Sequence, residues 1–323
     1  MTAMAHRPAM RSLGPGDLDR IVAIDQAVAG RSRRGFFAKR LAALSAGPQG
    51  LTGLAAEVDG KLVGFALADV LDGEFGGKAP VGVLHAIGVD RAHARQGVGS
   101  ALEAALEKLL GERGVGEIRT EADWAEHDLA AFFSATGYRL SRRLVLSRPV
   151  GDLIEEPGST GSEEPTWDQI PVRSMAEGDL PAIVQVDRKI TGRDRTTYYQ
   201  RKAAEVLRQS GVRVSLVAEV DGQFAGFLMA RVDLGDYGRT EPTAVIDTLG
   251  VHPAFAGKHV GRALLRQLLL NLGSLRVEQV VTQVEWDHFE LLRFLARTGF
   301  GLSQRLSFEK PIPSPAGRAV GTR

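Results

Sequence analysis

The chain of 323 residues contains no cysteine. This absence excludes disulfides, thiolate zinc sites and a cysteine nucleophile, and it fits a reducing compartment. An excess of charge is missing too, because 40 lysines and arginines balance 39 aspartates and glutamates. Without a strong electrostatic field, nucleic acid and anionic membrane are poor candidate partners. We predict no metal site.

Long apolar runs are also absent. No stretch approaches the roughly 20 residues that span a bilayer, and segment 1–17 holds no run of signal-peptide length. We therefore expect a cytoplasmic protein with no membrane partner. Hydrophobic residues make up 44% of the chain, which at this length suits two domains with separate cores.

The most informative positive feature is an internal repeat. The segment AAEVDGKLVGFALADV at 55–70 recurs as VAEVDGQFAGFLMARV at 217–232, an offset of 162 residues. The same offset relates Gly99 to Gly261 and Trp124 to Trp286 without a gap. A unit of this length is a domain and not a solenoid repeat, so the sequence predicts duplication and fusion.

The repeat sets the predicted domain bounds. We expect an N-terminal domain at 1–150, a flexible linker at 151–171 rich in Gly, Pro, Ser and Glu, a C-terminal domain at 172–312 and a disordered tail at 313–323. Each copy is predicted to be mixed α/β, with a central sheet flanked by helices. In the first copy the predicted elements are helices at 16–28 and 34–46, a hairpin around Asp59-Gly60, a strand at 81–89, a helix at 98–111, a strand at 117–124, a helix at 126–136 and a final strand at 138–147.

The strongest functional signal is the strand–loop–helix at 83–106. Its strand runs into a turn with Gly97 and Gly99 that opens directly into a helix. Unpaired amides at the positive end of a helix dipole bind anions such as a pyrophosphate, and glycine lets the backbone approach closely. The loop lacks both the full G-x-G-x-x-G series and a G-K-[ST], which argues against dinucleotide and triphosphate sites. A tight turn with glycines of purely conformational importance stays an alternative.

Two motifs in each copy resemble the GCN5-related N-acetyltransferases. IGVDRAHARQGVGSAL (87–102) and LGVHPAFAGKHVGRAL (249–264) are similar to the family's acetyl-CoA loop, [QR]-x-x-G-x-[GA]. EHDLAAFFSATGY (126–138) and HFELLRFLARTGF (288–300) are similar to its downstream helix signature. The resemblance implies acetyl-CoA as co-substrate and direct attack of an amine on the thioester. It implies a pantetheine arm paired with the third strand and a pyrophosphate on the loop amides. The residues carried over by the resemblance are Ile87, Val89, Arg95, Gln96, Gly97, Val98, Gly99 and Ser100 in the first copy, and Leu249, Val251, Gly257, Lys258, His259, Val260, Gly261 and Arg262 in the second.

Both copies depart from the family pattern. The first motif glycine is Gly97 in the first copy but His259 in the second, a change tolerated if the local φ is negative. The tyrosine that often protonates the departing thiolate falls on Phe133 and Leu295, which cannot donate a proton. The general acid is therefore unidentified from sequence. The intact glycine loop favours the first copy for coenzyme A binding.

The candidate catalytic residues lie on two neighbouring strands. Relatives that acetylate arylalkylamines carry a histidine at the position of His85, so the resemblance suggests it as the base; a histidine satisfied inside the sheet is the alternative. Asp247 takes the same position in the second copy and needs a raised pKa or a relaying water to act as a base. Asp123 and Glu285 keep their charge between the copies and are candidates to hold an amine cation, or are solvated strand-end carboxylates.

Two further groups recur in both copies. The resemblance places Arg31, Arg33, Arg193 and Arg195 near the acceptor pocket, where they could receive an acidic group; a solvated cluster is the alternative. Trp124 and Trp286 are interpreted as packing residues. The sequence thus predicts an N-acetyltransferase for a primary amine of a small molecule or peptide, acting as a monomer with an intramolecular domain pair or as a homodimer. The alternative is a catalytically impaired interaction module.

Overall fold

The computed structural model describes residues 8–30, 32–45, 50–71, 80–151, 170–204, 214–233 and 243–313. The predicted linker and tail lie almost entirely outside these ranges, and so does Arg31. Within the ranges, no helix combines the length and the apolar character needed to cross a bilayer.

The first half contains strands and helices in the order that the sequence predicts. They are β1 (Ala9–Ser12), α1 (Leu18–Ala29), α2 (Arg34–Ser45), β2 (Leu51–Val58), β3 (Lys61–Leu71), β4 (Val81–Val89), α3 (Val98–Glu112), β5 (Glu117–Asp123), α4 (His127–Ala135), β6 (Arg139–Leu140) and β7 (Arg143–Pro149).

The second half repeats this order. Its elements are β8 (Val172–Ser174), α5 (Leu180–Thr191), α6 (Thr196–Ala204), β9 (Leu216–Val220), β10 (Gln223–Asp233), β11 (Thr243–Val251), α7 (Val260–Ser274), β12 (Gln279–Glu285), α8 (Phe289–Arg297), β13 (Gly301–Leu302) and β14 (Arg305–Pro311). The predicted hairpin turns are confirmed, since Asp59, Gly60, Asp221 and Gly222 all have positive φ.

The strands form two mixed seven-stranded sheets, which confirms the predicted fold class. The first has the order β1-β2-β3-β4-β5-β14-β6 and the second the order β13-β7-β12-β11-β10-β9-β8. Among the strands in the described ranges, only the pairs β4–β5 and β11–β12 are parallel. In each unit one face of the sheet packs on the long helix α3 or α7, and the other face packs on the first two helices of that copy.

The final strand of each copy departs from the prediction. The sequence assigns the strand at 138–147 to the first copy, but Arg143–Pro149 pairs with β12 in the second sheet, and Arg305–Pro311 takes the equivalent place beside β5. The registers match at the repeat offset, Arg305 opposite Asp123 and Arg143 opposite Glu285. Because either strand offers the same backbone pairing, the repeat does not reveal which sheet it joins. The predicted bounds 1–150 and 172–312 follow the duplication, whereas the compact units change at Ser141/Arg142 and Ser303/Gln304.

A buried ion pair fixes β14 in the first unit. The Lys310 ammonium donates to both carboxylate oxygens of Glu103 on α3, at 2.9 and 2.8 Å. The equivalent residue in the second unit is Arg148, which is 1% exposed and donates to the backbone carbonyl of Thr298. Strands β7 and β14, which each pair with the sheet of the other copy, therefore carry a cation at the same position with a different partner in each unit.

A second ion pair joins the first strand of each unit to the turn that precedes its first helix. The Arg11 guanidinium donates to both oxygens of Asp17, at 2.7 and 2.8 Å, and Arg173 does the same for Asp179 at 2.8 Å. The hydrogen bonds from Arg11 lower the pKa of Asp17 against the opposing effect of burial, and Arg173 lowers the pKa of Asp179 in the same way. Such carboxylates stabilise the fold while ionised.

We expect this pair to make stability fall in acid. A carboxyl whose pKa is lower in the folded state contributes stability above its unfolded pKa near 3.8, and this contribution is lost as pH falls through the folded pKa. Asp17→Asn should cost about 1–2 kcal/mol of unfolding free energy at pH 7 and progressively less at acidic pH below the unfolded pKa near 3.8, measured by urea unfolding at both pH values. Asp19→Asn, at a carboxylate whose side chain is 85% exposed, is the control. An equal loss for Asp17→Asn at both pH values would contradict the account.

Candidate active site

The parallel strands of each unit separate partway along their length. The β4–β5 ladder ends at the pair Val83–Arg119, although both strands, described in full, continue to Val89 and Asp123. In the second unit the ladder ends at Ile246–Thr282, while β11 and β12 continue to Val251 and Glu285. Past these points the strands no longer pair with each other. The Leu84 carbonyl on β4 accepts the Thr120 hydroxyl at 2.9 Å, and backbone groups further along β4 and β11 face the gap between the strands.

A cleft lies at this separation in the second unit. Its cavity volume is roughly 60 Å³, and its mouth opens to solvent. Residues of β11 and β12 line it beyond the last paired residues, and apolar side chains of α7 and α8 close it. Its lining consists of Ile246, Asp247, Thr248, Leu249, Leu265, Thr282, Gln283, Leu291, Phe294 and Leu295. The cleft is a narrow slot lined by six apolar and four polar residues.

His85 and Asp247 are the extra residues of two equivalent β-bulges. Leu67 pairs with Ala86 and Ala68 with Leu84, so His85 has no opposite residue on β3. The register of β10 and β11 skips Asp247 in the same manner. A bulge interrupts the side-chain alternation and re-aims a side chain, and bulges are frequent beside active sites. The bulges therefore place these two side chains at the start of the strand separation.

In the first unit His85 belongs to a three-residue chain. Its Nε2–H donates to Asp69 Oδ2 on β3 at 2.8 Å, and the same oxygen accepts from Arg40 on α2 at 2.7 Å. The side chain of His85 is 6% exposed. A carboxylate on one ring nitrogen fixes the tautomer and the orientation of an imidazole. Asp69 and Arg40 thus hold His85 in one geometry.

The same three positions carry different charges in the second unit. Asp247 is paired with Arg231 on β10 and lies 3.6 Å from Lys202 Nζ on α6. Burial works to raise the pKa of Asp247, but the attraction of Arg231 and Lys202 outweighs it and holds the pKa below the usual range. The lowered pKa removes one of the two routes by which Asp247 could act as a base and leaves the relaying water, while its carboxylate is paired with two cations.

The loops that precede α3 and α7 have the same left-handed positions despite different residues. Each contains two left-handed residues, Arg95 and Gly97 in the first unit and Gly257 and His259 in the second. We expected a non-glycine residue at this position to be tolerated if its φ is negative. That condition is not met, because the φ of His259 is +60°. Histidine is among the non-glycine residues that adopt this region more often, although at a cost. One of the two left-handed residues is glycine in each unit, but at a different position.

The loops open into helices as the sequence predicts. Gly97 and His259 are the N-caps of α3 and α7, which leaves the amides of the first turn without partners inside the helix. Gly99 is tightly packed, since a Cβ there would lie 3.1 Å from the ring of Phe132. Val98 and Val260 are buried in the core, so only their backbone is available at the loop.

The second loop carries more positive charge at its helix. Lys258 and Arg262 replace Gln96 and Ser100 of the first unit. Nη1 of Arg262 is buried and has no hydrogen-bond partner in the described part of the chain. Arg262 is therefore a candidate to bind an anionic group at the start of α7. In the first loop Gln96 donates to the carbonyl of Ala92 at 3.0 Å.

The remaining candidates divide between the slot and structural contacts. The half-buried side chains of Ile87, Val89, Leu249 and Val251 pack on the core along the separated strands. Asp123 accepts the Ala125 amide at 2.9 Å and so caps the turn after β5. Glu285 accepts a hydrogen bond from Arg143 at 3.1 Å and is 49% exposed at its side chain.

Two interpretations from the sequence need correction. Arg33 and Arg195 do not form a solvated or acceptor-binding cluster, because each is paired with a buried aspartate, Asp25 or Asp187. Arg193 is exposed. Trp124 and Trp286 are not core-packing residues, since they are 56% and 49% exposed.

Four partners of His85 and Asp247 were not identified from the sequence: Arg40, Asp69, Lys202 and Arg231. A signal was present, because three positions at the repeat offset read Arg, Asp and His in one copy and Lys, Arg and Asp in the other. The carboxylate is Asp69 in one copy, where the other copy has Arg231, and Asp247 in the other copy, where the first has His85. Such an exchange of charge between two positions indicates that their side chains are in contact. The hydroxyl pair of Tyr198 and Thr248, 3.1 Å apart at the cleft, was missed as well.

Comparisons with known proteins agree with this geometry. The sequence profile of the acetyltransferase (GNAT) family matches residues 24–138 and 181–300. The mycothiol acetyltransferase of Saccharomonospora viridis is 27% identical over 252 residues, covering 74% of this chain and 76% of the relative. That of Actinosynnema mirum is 28% identical over 269 residues, covering 80% and 82%. A solved tandem GNAT protein from the clavulanic acid biosynthesis pathway has a TM-score of 0.66 at 16% identity, covering 95% of this chain and 99% of that one, a likeness in fold.

The left-handed histidine gives a stability prediction. His259→Gly should raise the unfolding free energy by about 1 kcal/mol, because glycine adopts positive φ without a Cβ clash. Gly97→Ala at the matched position of the first unit should lower it by a similar amount. Urea unfolding with both variants measures the effect. A destabilising His259→Gly would contradict the account, since the side chain would then contribute more than the strain costs.

Proposed function

Because this chain belongs to the acetyltransferase (GNAT) family and is an N-acetyltransferase that acts on an amine, we propose that acetyl-CoA is its donor and that the slot beside β11 holds the donor's pantetheine arm. The observation that supports this assignment is the separation of β11 from β12 after Ile246. An extended amide-containing chain can pair with the backbone groups that β12 leaves there, as an added strand does. Leu249 and Val251 would flank that chain.

The start of α7 suits the pyrophosphate. The first-turn amides of Val260, Gly261 and Arg262 lie at the positive end of the helix dipole, and the side chains of Lys258 and Arg262 add positive charge. His259 and Gly257 give the loop its left-handed turns. In the first unit the equivalent groups are the amides from Arg95 to Ser100, including Gln96, Gly97 and Gly99.

The second unit is the better candidate for acetyl transfer. Its slot is an open cleft, and its donor loop is the more basic of the two. This preference reverses the one drawn from the intact glycine loop of the first copy. In the first unit we propose His85 as the group that takes the amine proton, with Asp69 fixing its orientation. Asp123 and Glu285 stand at the strand ends, where an amine cation could approach.

The acceptor is a primary amine of a small molecule. The support is the name of relatives with similar sequences, mycothiol acetyltransferase, which names a small-molecule thiol. A catalytically impaired interaction module is not favoured, because the matching family profile and the named relatives are acetyltransferases.

Calorimetric titration of acetyl-CoA tests the donor assignment. Ser100→Glu and Arg262→Glu each add a negative charge where the pyrophosphate would lie, and an acidic residue in a first helical turn does not harm the helix. We expect wild type to bind, Arg262→Glu to weaken binding to the second unit at least about tenfold, and Ser100→Glu to affect only the first.

Lys108→Glu is the matched control, because Lys108 lies on α3 with its side chain 78% exposed and outside the loop. Its binding should equal that of wild type. Absence of binding in wild type, or binding that neither loop variant changes, would overturn the donor assignment.

A further inference from the structure

The cleft of the second unit poses a problem for the thiolate that leaves during acetyl transfer. Its walls from α7 and α8 are apolar, with Leu265, Leu291, Phe294 and Leu295. A negative sulfur in such surroundings is poorly solvated, so a nearby proton donor lowers the barrier. Leu295, which occupies the position where relatives often have tyrosine, supplies none.

Three of the four polar residues that line the cleft cannot supply this proton. Asp247 is held ionised by Arg231 and Lys202, so its carboxylate only accepts. The Thr282 hydroxyl donates to the carbonyl of Ile246 at 3.0 Å and is committed to the sheet. The amide of Gln283 can donate a hydrogen bond but cannot give up a proton at neutral pH.

Thr248 is the fourth polar residue and is joined to a phenol. Its Oγ1 lies 3.1 Å from the hydroxyl of Tyr198 on α6, and Tyr198 is 4% exposed. The guanidinium carbon of Arg195 is 5.0 Å from the Tyr198 ring centroid and that of Arg201 is 6.0 Å away. Two cations at this range stabilise the negative charge that a tyrosine acquires when it releases a proton.

The first unit has neither of the two hydroxyl groups. Phe36 and Ala86 occupy the positions that correspond to Tyr198 and Thr248 at the repeat offset. Phe36 is buried like Tyr198 and packs edge-to-face on Phe37, as Tyr198 does on Tyr199. The packing is therefore kept in both units, whereas the hydroxyl pair occurs only in the second.

We propose that Thr248 protonates the departing coenzyme A thiolate and that Tyr198 replaces the proton of Thr248. This inference rests on the proposed function. The amine nitrogen forms a bond to the carbonyl carbon, the carbon–sulfur bond breaks, and its electron pair goes to sulfur. Sulfur takes the Thr248 hydroxyl proton while Thr248 takes the phenol proton. The proton lost by the new amide nitrogen passes to solvent, from which Tyr198 regains one, so amine and acetyl-CoA give amide and thiol. Thr248 is the catalytic residue, and Tyr198 is a positioning residue that acts through it.

Turnover of the full-length chain in a Ser100→Glu background tests the proposal, because that substitution weakens donor binding in the first unit. Thiol release from acetyl-CoA is followed with tryptamine, spermidine and glucosamine as probe amines, and with no amine as hydrolysis. Tyr198→Phe and Thr248→Ala each introduce the residue that the first unit has at the same position. Thr248→Ser keeps the hydroxyl. Tyr199→Phe is the matched control, since it removes a neighbouring phenol that binds Asp187 and matches Phe37 of the first unit.

We expect Tyr198→Phe and Thr248→Ala each to lower kcat roughly 10²-fold with an unchanged KM for acetyl-CoA, and their combination to lower it little further. Thr248→Ser should restore kcat, and Tyr199→Phe should leave it unchanged. Unchanged kcat in Tyr198→Phe and Thr248→Ala would overturn the proposal and leave the acetyl-CoA assignment intact. A rise in KM without loss of kcat would also overturn it, because it would make the pair structural. Absence of thiol release in the Ser100→Glu background would overturn both the proposal and the choice of the second unit.

Discussion

The early end of one parallel ladder in each sheet is the constraint on which the rest of the molecule depends. Two parallel strands that stay paired to their ends leave no backbone groups for a ligand. Here β11 and β12 separate after Ile246 and Thr282, and β4 and β5 separate after Val83 and Arg119. A buried, unpaired strand edge is unfavourable without a partner. The separation therefore provides the slot in which we propose that the donor lies, along β4 or β11.

The β-bulges at the start of each separation decide which side chains stand at the slot. In the first unit the bulge carries His85, tied to Asp69 and Arg40. In the second it carries Asp247, tied to Arg231 and Lys202. The three positions are the same, but the carboxylate has moved from β3 to the strand equivalent to β4. An imidazole has thereby been replaced by a carboxylate paired with two cations, so the proton transfer that we propose for His85 has no direct counterpart in the second unit.

Much of the fold was predictable from sequence, because duplication supplies each signal twice. The hairpins at Asp59-Gly60 and Asp221-Gly222, the strand before each loop and the helix after it are local patterns and were predicted correctly. The destination of β7 and β14 was not, because both strands offer an equivalent register to either sheet. Nothing local to a strand records which of two similar neighbours it pairs with.

The candidate site was predictable only where a motif is continuous in sequence. The loops around Gly97 and His259 were located, but the positive φ of His259 was not foreseen, because a side chain is tolerated there only at a cost that the sequence does not reveal. Partners such as Asp69 for His85 come from another strand, and their contact follows from the sheet register. The exposed positions of Trp124 and Trp286 likewise depend on where β5 and β12 end.

Amide hydrogen–deuterium exchange with and without acetyl-CoA tests the central claim most directly. If the donor occupies the separation, acetyl-CoA should slow exchange at the β11 amides beyond Ile246 and at the first turn of α7, while the paired start of β11 stays unchanged. Protection confined to other regions of the second unit, with no change along β11 and α7, would contradict the account.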